Sequence, residues 1–117
     1  MNRFGISLKT TQLLQQTLAS FKEIDHALIF GSRAIGNCKK GSDIDLAIYG
    51  SDLQPDTADK LHTVLNEEQP IPYFVDVLAP QYLKHKALLE HIERIGVSFY
   101  KKKGRGKLFG MGRRARA

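Results

Sequence analysis

Apolar and polar positions along the chain change period several times. Leu14, Leu18 and Phe21 recur at steps of four and three, with Leu13 widening the stripe, so a helix is expected from Ser7, its cap, to about Phe21. His26 to Phe30 is a short apolar run that ends at Gly31-Ser32 and reads as a buried strand. Asp43 to Tyr49 alternates and reads as a second strand, closed by Gly50. After Pro55 the period returns to that of a helix, starting at Asp56 or Thr57, with Leu61, Val64 and Leu65 on one face. Pro70 and Pro72 end that region, Tyr73 to Leu78 is a third strand, and Pro80 stops it. A last helix is expected from about Gln81 to Ile95, carrying Leu88, Leu89, Ile92 and Ile95, and then Val97 to Tyr100 as a short edge strand. Alternating helices and strands in 117 residues predict one α/β (α+β) domain with a small sheet.

Charge changes this picture at one end. The formal net charge is +6, but residues 1–100 hold 10 basic and 12 acidic side chains, whereas residues 101–117 hold 8 basic and none acidic. The expected domain is therefore 1–100, and 101–117 is a basic tail, expected to be disordered and either native or a remnant of cloning. The body is slightly acidic and does not look like a nucleic-acid-binding surface; only the tail is a candidate for such contact. A single cysteine, Cys38, rules out an internal disulfide. No run reaches the ~20 apolar residues of a membrane helix, and no signal-peptide layout is present, which fits a cytoplasmic protein.

The chemistry concentrates between Gly31 and Ile48. In a strand, residues two apart share a face at a spacing of about 6.6 Å. Asp43 and Asp45 therefore point one way, while Ile44, Leu46 and Ile48 point into a core. Asp76, between Val75 and Val77, can join them if the third strand pairs beside the second. Three carboxylates suit one or two Mg²⁺ ions and two-metal phosphoryl or nucleotidyl transfer, with the third also able to take the nucleophile's proton. Gly31 lets phosphate approach the backbone, and Ser32 adds a hydroxyl and an N–H. Arg33 is the nearest fixed cation, placed to neutralise phosphate or to pair with a carboxylate. The Gly-x4-Gly spacings at Gly31 and Gly36 lack the Lys-Ser/Thr of a P-loop. His62, His85 and His91 read as solvated or packed, Cys38 as incidental, Lys39 and Lys40 as solvated loop charges, and Tyr73, Phe74, Phe99 and Tyr100 as packing residues.

Gly31-Ser32, ten residues, Asp43-Ile44-Asp45, then Asp76 on a later strand: this order resembles the nucleotidyltransferases of the DNA polymerase β superfamily, and its compact form resembles the minimal nucleotidyltransferases (MNT proteins). The resemblance covers roughly residues 8–100. It implies a polymerase β-like fold, a small mixed sheet flanked by helices. It implies ATP or another nucleoside triphosphate with Mg²⁺, held by Gly31, Ser32 and Arg33, and metal and catalytic roles for Asp43, Asp45 and Asp76. It further implies an antitoxin that transfers AMP to a tyrosine of a helical HEPN ribonuclease toxin. The alternative within the same fold is a non-catalytic binding module that neutralises a HEPN partner by forming a complex. So little chain remains outside the core elements that the acceptor is expected to bring its own surface, or a second copy of the chain to complete the site.

Overall fold

The computed structural model describes residues 2–36 and 41–102. Cys38, Lys39 and Lys40 lie outside the described residues, as does the tail from residue 103 onward. Helix α1 spans Leu8–Ser20, with the Ser7 hydroxyl accepting from the Thr10 amide at 3.2 Å. Its stripe buries Leu14 and Leu18 completely, while Leu8 at its start stays largely exposed. Strand β1 is His26–Phe30, followed by the four-residue helix α2, Ser32–Ile35. Strand β2 is Ile44–Tyr49, and helix α3 is Thr57–Thr63, continued by a π-helical turn, Val64–Glu68. Strand β3 is Val75–Leu78, helix α4 is Lys86–Ile95 and strand β4 is Val97–Lys101.

Three boundaries differ from expectation. Pro80 starts an isolated 3-10 turn, Pro80–Tyr82, and Leu83 then adopts an extended conformation. The last helix therefore begins only at Lys86, where His85 Nδ1 accepts from the Leu88 amide at 3.1 Å. The second and third strands begin at Ile44 and Val75, so Asp43 sits just ahead of β2 rather than in it.

The sheet order is β3-β2-β1-β4, with β2 parallel to β3 and the other pairs antiparallel. Strand alternation divides its two faces. Ala27 and Ile29 of β1, Ile44, Leu46 and Ile48 of β2, and Val75 and Val77 of β3 pack with Leu14, Leu18, Leu61 and Leu65 in the main core. Each fully buried Leu or Ile contributes roughly 1.5–3 kcal/mol by leaving water, so this face holds the domain together. The opposite face carries a smaller cluster of Phe30, Ala47 and Ile92, with Leu28, Tyr49, Leu78 and Leu88 around it. Helix α4 thus lies on that second face. By the same alternation, Asp45 and Asp76 are on the α4 side, at the end of the sheet where β2 and β3 begin. Among the described residues no helix is long and apolar enough to cross a membrane.

Candidate active site

Parallel pairing puts Asp45 directly opposite Asp76, one register position beyond the Ile44–Val75 pair. Antiparallel pairing puts Phe30, the last residue of β1, on the other side of Asp45. The chain leaves Phe30 straight into the Gly31-Ser32 turn, so the turn and two of the carboxylates meet at one end of the sheet. Asp43, exposed, stands two residues before Asp45. The Ile44 amide donates to Phe74 O at 2.9 Å, joining the starts of β2 and β3 between the acidic positions.

Gly31 is required here twice over. Its φ of 73° and ψ of −156° lie in a region that is essentially glycine-only. A Cβ at this position would lie 2.3 Å from Asp45 Oδ2. The bare backbone of the turn therefore abuts the carboxylate itself. Gly31 O accepts from the Ala34 and Ile35 amides at 3.1 and 3.2 Å, which winds α2 directly out of the turn and holds Ser32 at its first position.

Asp45 is half-buried, and its pKa is raised from the usual carboxylate value by that burial, then by the charges of Asp76 and Asp43. His91 and Arg33 pull in the opposite direction without reversing the shift. The acidic positions thus repel one another and are short of positive charge. Hard carboxylate oxygens in such a deficit select a hard divalent cation, so the donor set fits Mg²⁺. Among the described residues no group of three acidic, imidazole or thiol side chains stands together as a finished metal-ligand set. Strand register, rather than a closed ligand sphere, is what brings the carboxylates to one end of the sheet.

Arg33 is 2% exposed and turned towards the protein backbone. Its Nη2 and Nε donate to Ser42 O at 2.6 and 3.0 Å, and Nε also reaches Asp43 O at 3.3 Å. Its Nη1 donates to Phe4 O at 2.8 Å and Gly5 O at 3.2 Å, and the guanidinium lies 4.7 Å from the centre of the Tyr73 ring. These contacts go to main-chain carbonyls and an aromatic face.

Three further residues gain a relation to the site that their sequence positions did not disclose. His91, read as solvated or packed, is half-buried, stands edge-on to Phe30 at 6.2 Å between ring centres, and acts electrostatically on Asp45. Its i to i+4 relation to Ala87 and Ile95 gives no hint of this; only the docking of α4 does. Asn66, in the π-helical turn, donates to Val75 O and accepts from Val75 N, both at 2.8 Å, so it clamps the residue before Asp76. Phe74, read as packing, is 48% exposed beside the start of β3, with His62 edge-on to it at 5.2 Å.

Comparison with solved structures finds the same fold repeatedly in toxin–antitoxin assemblies. A toxin–antitoxin crystal structure with AMP-PNP matches with a TM-score of 0.60 at 19% identity, covering 88% of this chain and 80% of that one. A MntA-HepT toxin–antitoxin structure gives 0.61 at 17%, covering 90% and 81%. A tri-AMPylated Shewanella oneidensis HEPN toxin in complex with MNT antitoxin gives 0.60 at 17%, covering 88% and 79%. Curated protein sequences give no significant match. The sequence profile described as Polymerase beta, Nucleotidyltransferase matches residues 12–105, a span that contains the glycine turn and all three aspartates. The chain belongs to the polymerase beta nucleotidyltransferase family.

Proposed function

We propose that this protein is an Mg²⁺-dependent nucleotidyltransferase that moves AMP from ATP to a protein acceptor, as the antitoxin of a HEPN-type toxin. The observation that carries the reading is Asp45, paired in register with Asp76 on one side and set directly against the backbone of the Gly31 turn on the other. Asp43, Asp45 and Asp76 would hold the cation, which when bound supplies charge neutralisation for the phosphoryl oxygens. Gly31 and Ser32 would receive the triphosphate, since the turn offers a surface with no side chain at Gly31 and a hydroxyl at Ser32. An acceptor hydroxyl oxygen forms a bond to the α-phosphorus, the bond from that phosphorus to the bridging oxygen breaks, and pyrophosphate leaves. Asp76 would take the hydroxyl proton. The rate then depends on placing donor and acceptor in line. The partner side of the reading is supported by the fold shared with antitoxins in HEPN complexes, one of which holds an AMPylated toxin.

The test is the intact mass of a folded HEPN-type partner after incubation with this protein, ATP and Mg²⁺. A gain of one or more AMP units is expected, lost with Asp43→Asn and with Asp45→Asn. An unchanged partner mass with the wild-type protein would overturn the transferase reading. Full suppression of the partner's toxicity by Asp43→Asn would favour neutralisation by binding alone.

A further inference from the structure

We propose that Arg33 and the turn formed by residues 2–6 are a positioning relay for Asp43, with Asn2 as its outermost member. The inference rests on the reading of Asp43 as a metal-binding carboxylate.

The N-terminal turn is built to present carbonyls. Asn2 Oδ1 accepts from the amides of Phe4 at 2.9 Å and Ile6 at 3.2 Å. Asn2 O accepts from the Gly5 amide at 3.0 Å, and the Asn2 amide donates to Ile6 O at 3.2 Å. Gly5, at φ 71°, provides the left-handed residue on which the chain reverses. The amides of Asn2, Phe4, Gly5 and Ile6 are thereby consumed within the turn, while the oxygens of Phe4 and Gly5 meet Arg33 Nη1. Asn2 Nδ2 donates to Thr11 Oγ1 at 3.0 Å, which fixes the turn to α1. Phe4 and Ile6 are buried in the main core, so the turn is anchored from below as well.

The other edge of the same guanidinium holds the peptide units of Ser42 and Asp43. One planar group thus spans the N-terminal turn and the backbone of a carboxylate residue, with Tyr73 under its face just before β3. A buried cation is tolerable only while its donors are satisfied. Loosening the turn therefore withdraws two acceptors, and the guanidinium must reorient at the expense of its bonds to Ser42 and Asp43. Lysine cannot substitute, because its ammonium has neither the fork that reaches both sides nor a plane to lie on Tyr73. The relay acts on Asp43 through the main chain, so Asn2 and Arg33 are positioning residues, not catalytic ones.

The experiment compares wild type, Asn2→Ala, Arg33→Lys and, as a purely structural control, Ser7→Ala, which removes the α1 cap. Amide hydrogen exchange across residues 41–45 is measured on each, with Mn²⁺ affinity by calorimetry. Asn2→Ala and Arg33→Lys should both speed exchange across 41–45 and weaken Mn²⁺ binding about tenfold or more, the usual effect of losing a residue that supports a metal ligand. Ser7→Ala should do neither. Faster exchange confined to residues 2–6 in Asn2→Ala, with 41–45 as in wild type, would overturn the relay. A wild-type protein that takes up no Mn²⁺ would refute the metal reading, and the exchange comparison would then decide the relay alone.

Discussion

Replacing Gly31 by alanine tests the central geometric claim, that the turn and the Asp45 carboxylate are in contact. Two independent costs arise. The backbone pair φ 73°, ψ −156° is one that residues with a Cβ adopt at about 1–3 kcal/mol. The added methyl would also lie 2.3 Å from Asp45 Oδ2 and 3.2 Å from its Cγ, well inside contact distance, so the carboxylate must move away from its place opposite Asp76. In a domain of this size each kcal/mol lowers Tm by about 4–8 °C, so the backbone cost alone predicts a fall of roughly 4–24 °C. Denaturant and thermal unfolding measure the sum, and a cycle with Asp45→Ala separates the parts. With Asp45 truncated, the nearest remaining atom is its Cβ at 3.6 Å, an ordinary contact, so only the backbone cost survives. The expected coupling between the two substitutions falls in the ~0.5–3 kcal/mol range of directly touching residues. A Gly31→Ala protein within about 0.5 kcal/mol of wild type, the scale of an ordinary surface change, would refute the strain. Equal costs with and without the Asp45 carboxylate would refute the contact.

The raised pKa of Asp45 gives a pH dependence with a definite sign. Its folded form binds a proton more tightly than the unfolded chain does, so this contribution to stability is fully present below the ordinary value of 3.8 and is lost as pH rises through the raised folded value. Asp45→Asn should therefore be more stable than wild type at neutral pH without divalent metal, with the advantage fading on acidification; an advantage that grows towards low pH would contradict the assignment. Asn66→Ala deprives the buried Val75 amide and carbonyl of their partner, each at about 1–3 kcal/mol if left unmet, and urea unfolding should show a loss in that range together with faster exchange at Val75. His91→Ala should raise the Asp45 pKa further, read from the side-chain carboxyl ¹³C shift across a pH titration; an unchanged titration would remove His91 from the site.

The sheet and the carboxylates were legible because they depend on local signals. Period-two alternation put Ile44, Leu46 and Ile48 on one face and left Asp45 on the other, and the same signal around Asp76 held once β3 paired beside β2. The Ser7 cap and the β4 edge strand were likewise visible in short stretches of sequence. Helix α4 starts later than its periodicity implies, because the signal from Leu88 to Ile95 does not mark its own start, which depends on the His85 cap and on the extended residue after the Pro80 turn. The approach of His91 to the site follows from where α4 docks, through Ile92 and Leu88 on Phe30 and Ala47, and that is a tertiary fact.

Arg33 and Asn66 illustrate a deeper reason for what sequence conceals. Both act on main-chain groups: Arg33 on the carbonyls of Phe4, Gly5, Ser42 and Asp43, Asn66 on the amide and carbonyl of Val75. Nearly every residue type offers those groups, so the partner's identity carries no trace of the bond. A carboxylate cluster, in contrast, announces its chemistry in the residues themselves. The candidate site thus draws on two kinds of information. Asp43, Asp45 and Asp76 specify which oxygens are available, and an arginine and an asparagine bonded to backbone specify where the strands bearing two of them begin. A substitution that preserves every aspartate can still dismantle the site by releasing one of those two anchors, and a chain that retains the acidic pattern without them would keep the composition of the site but lose its registration.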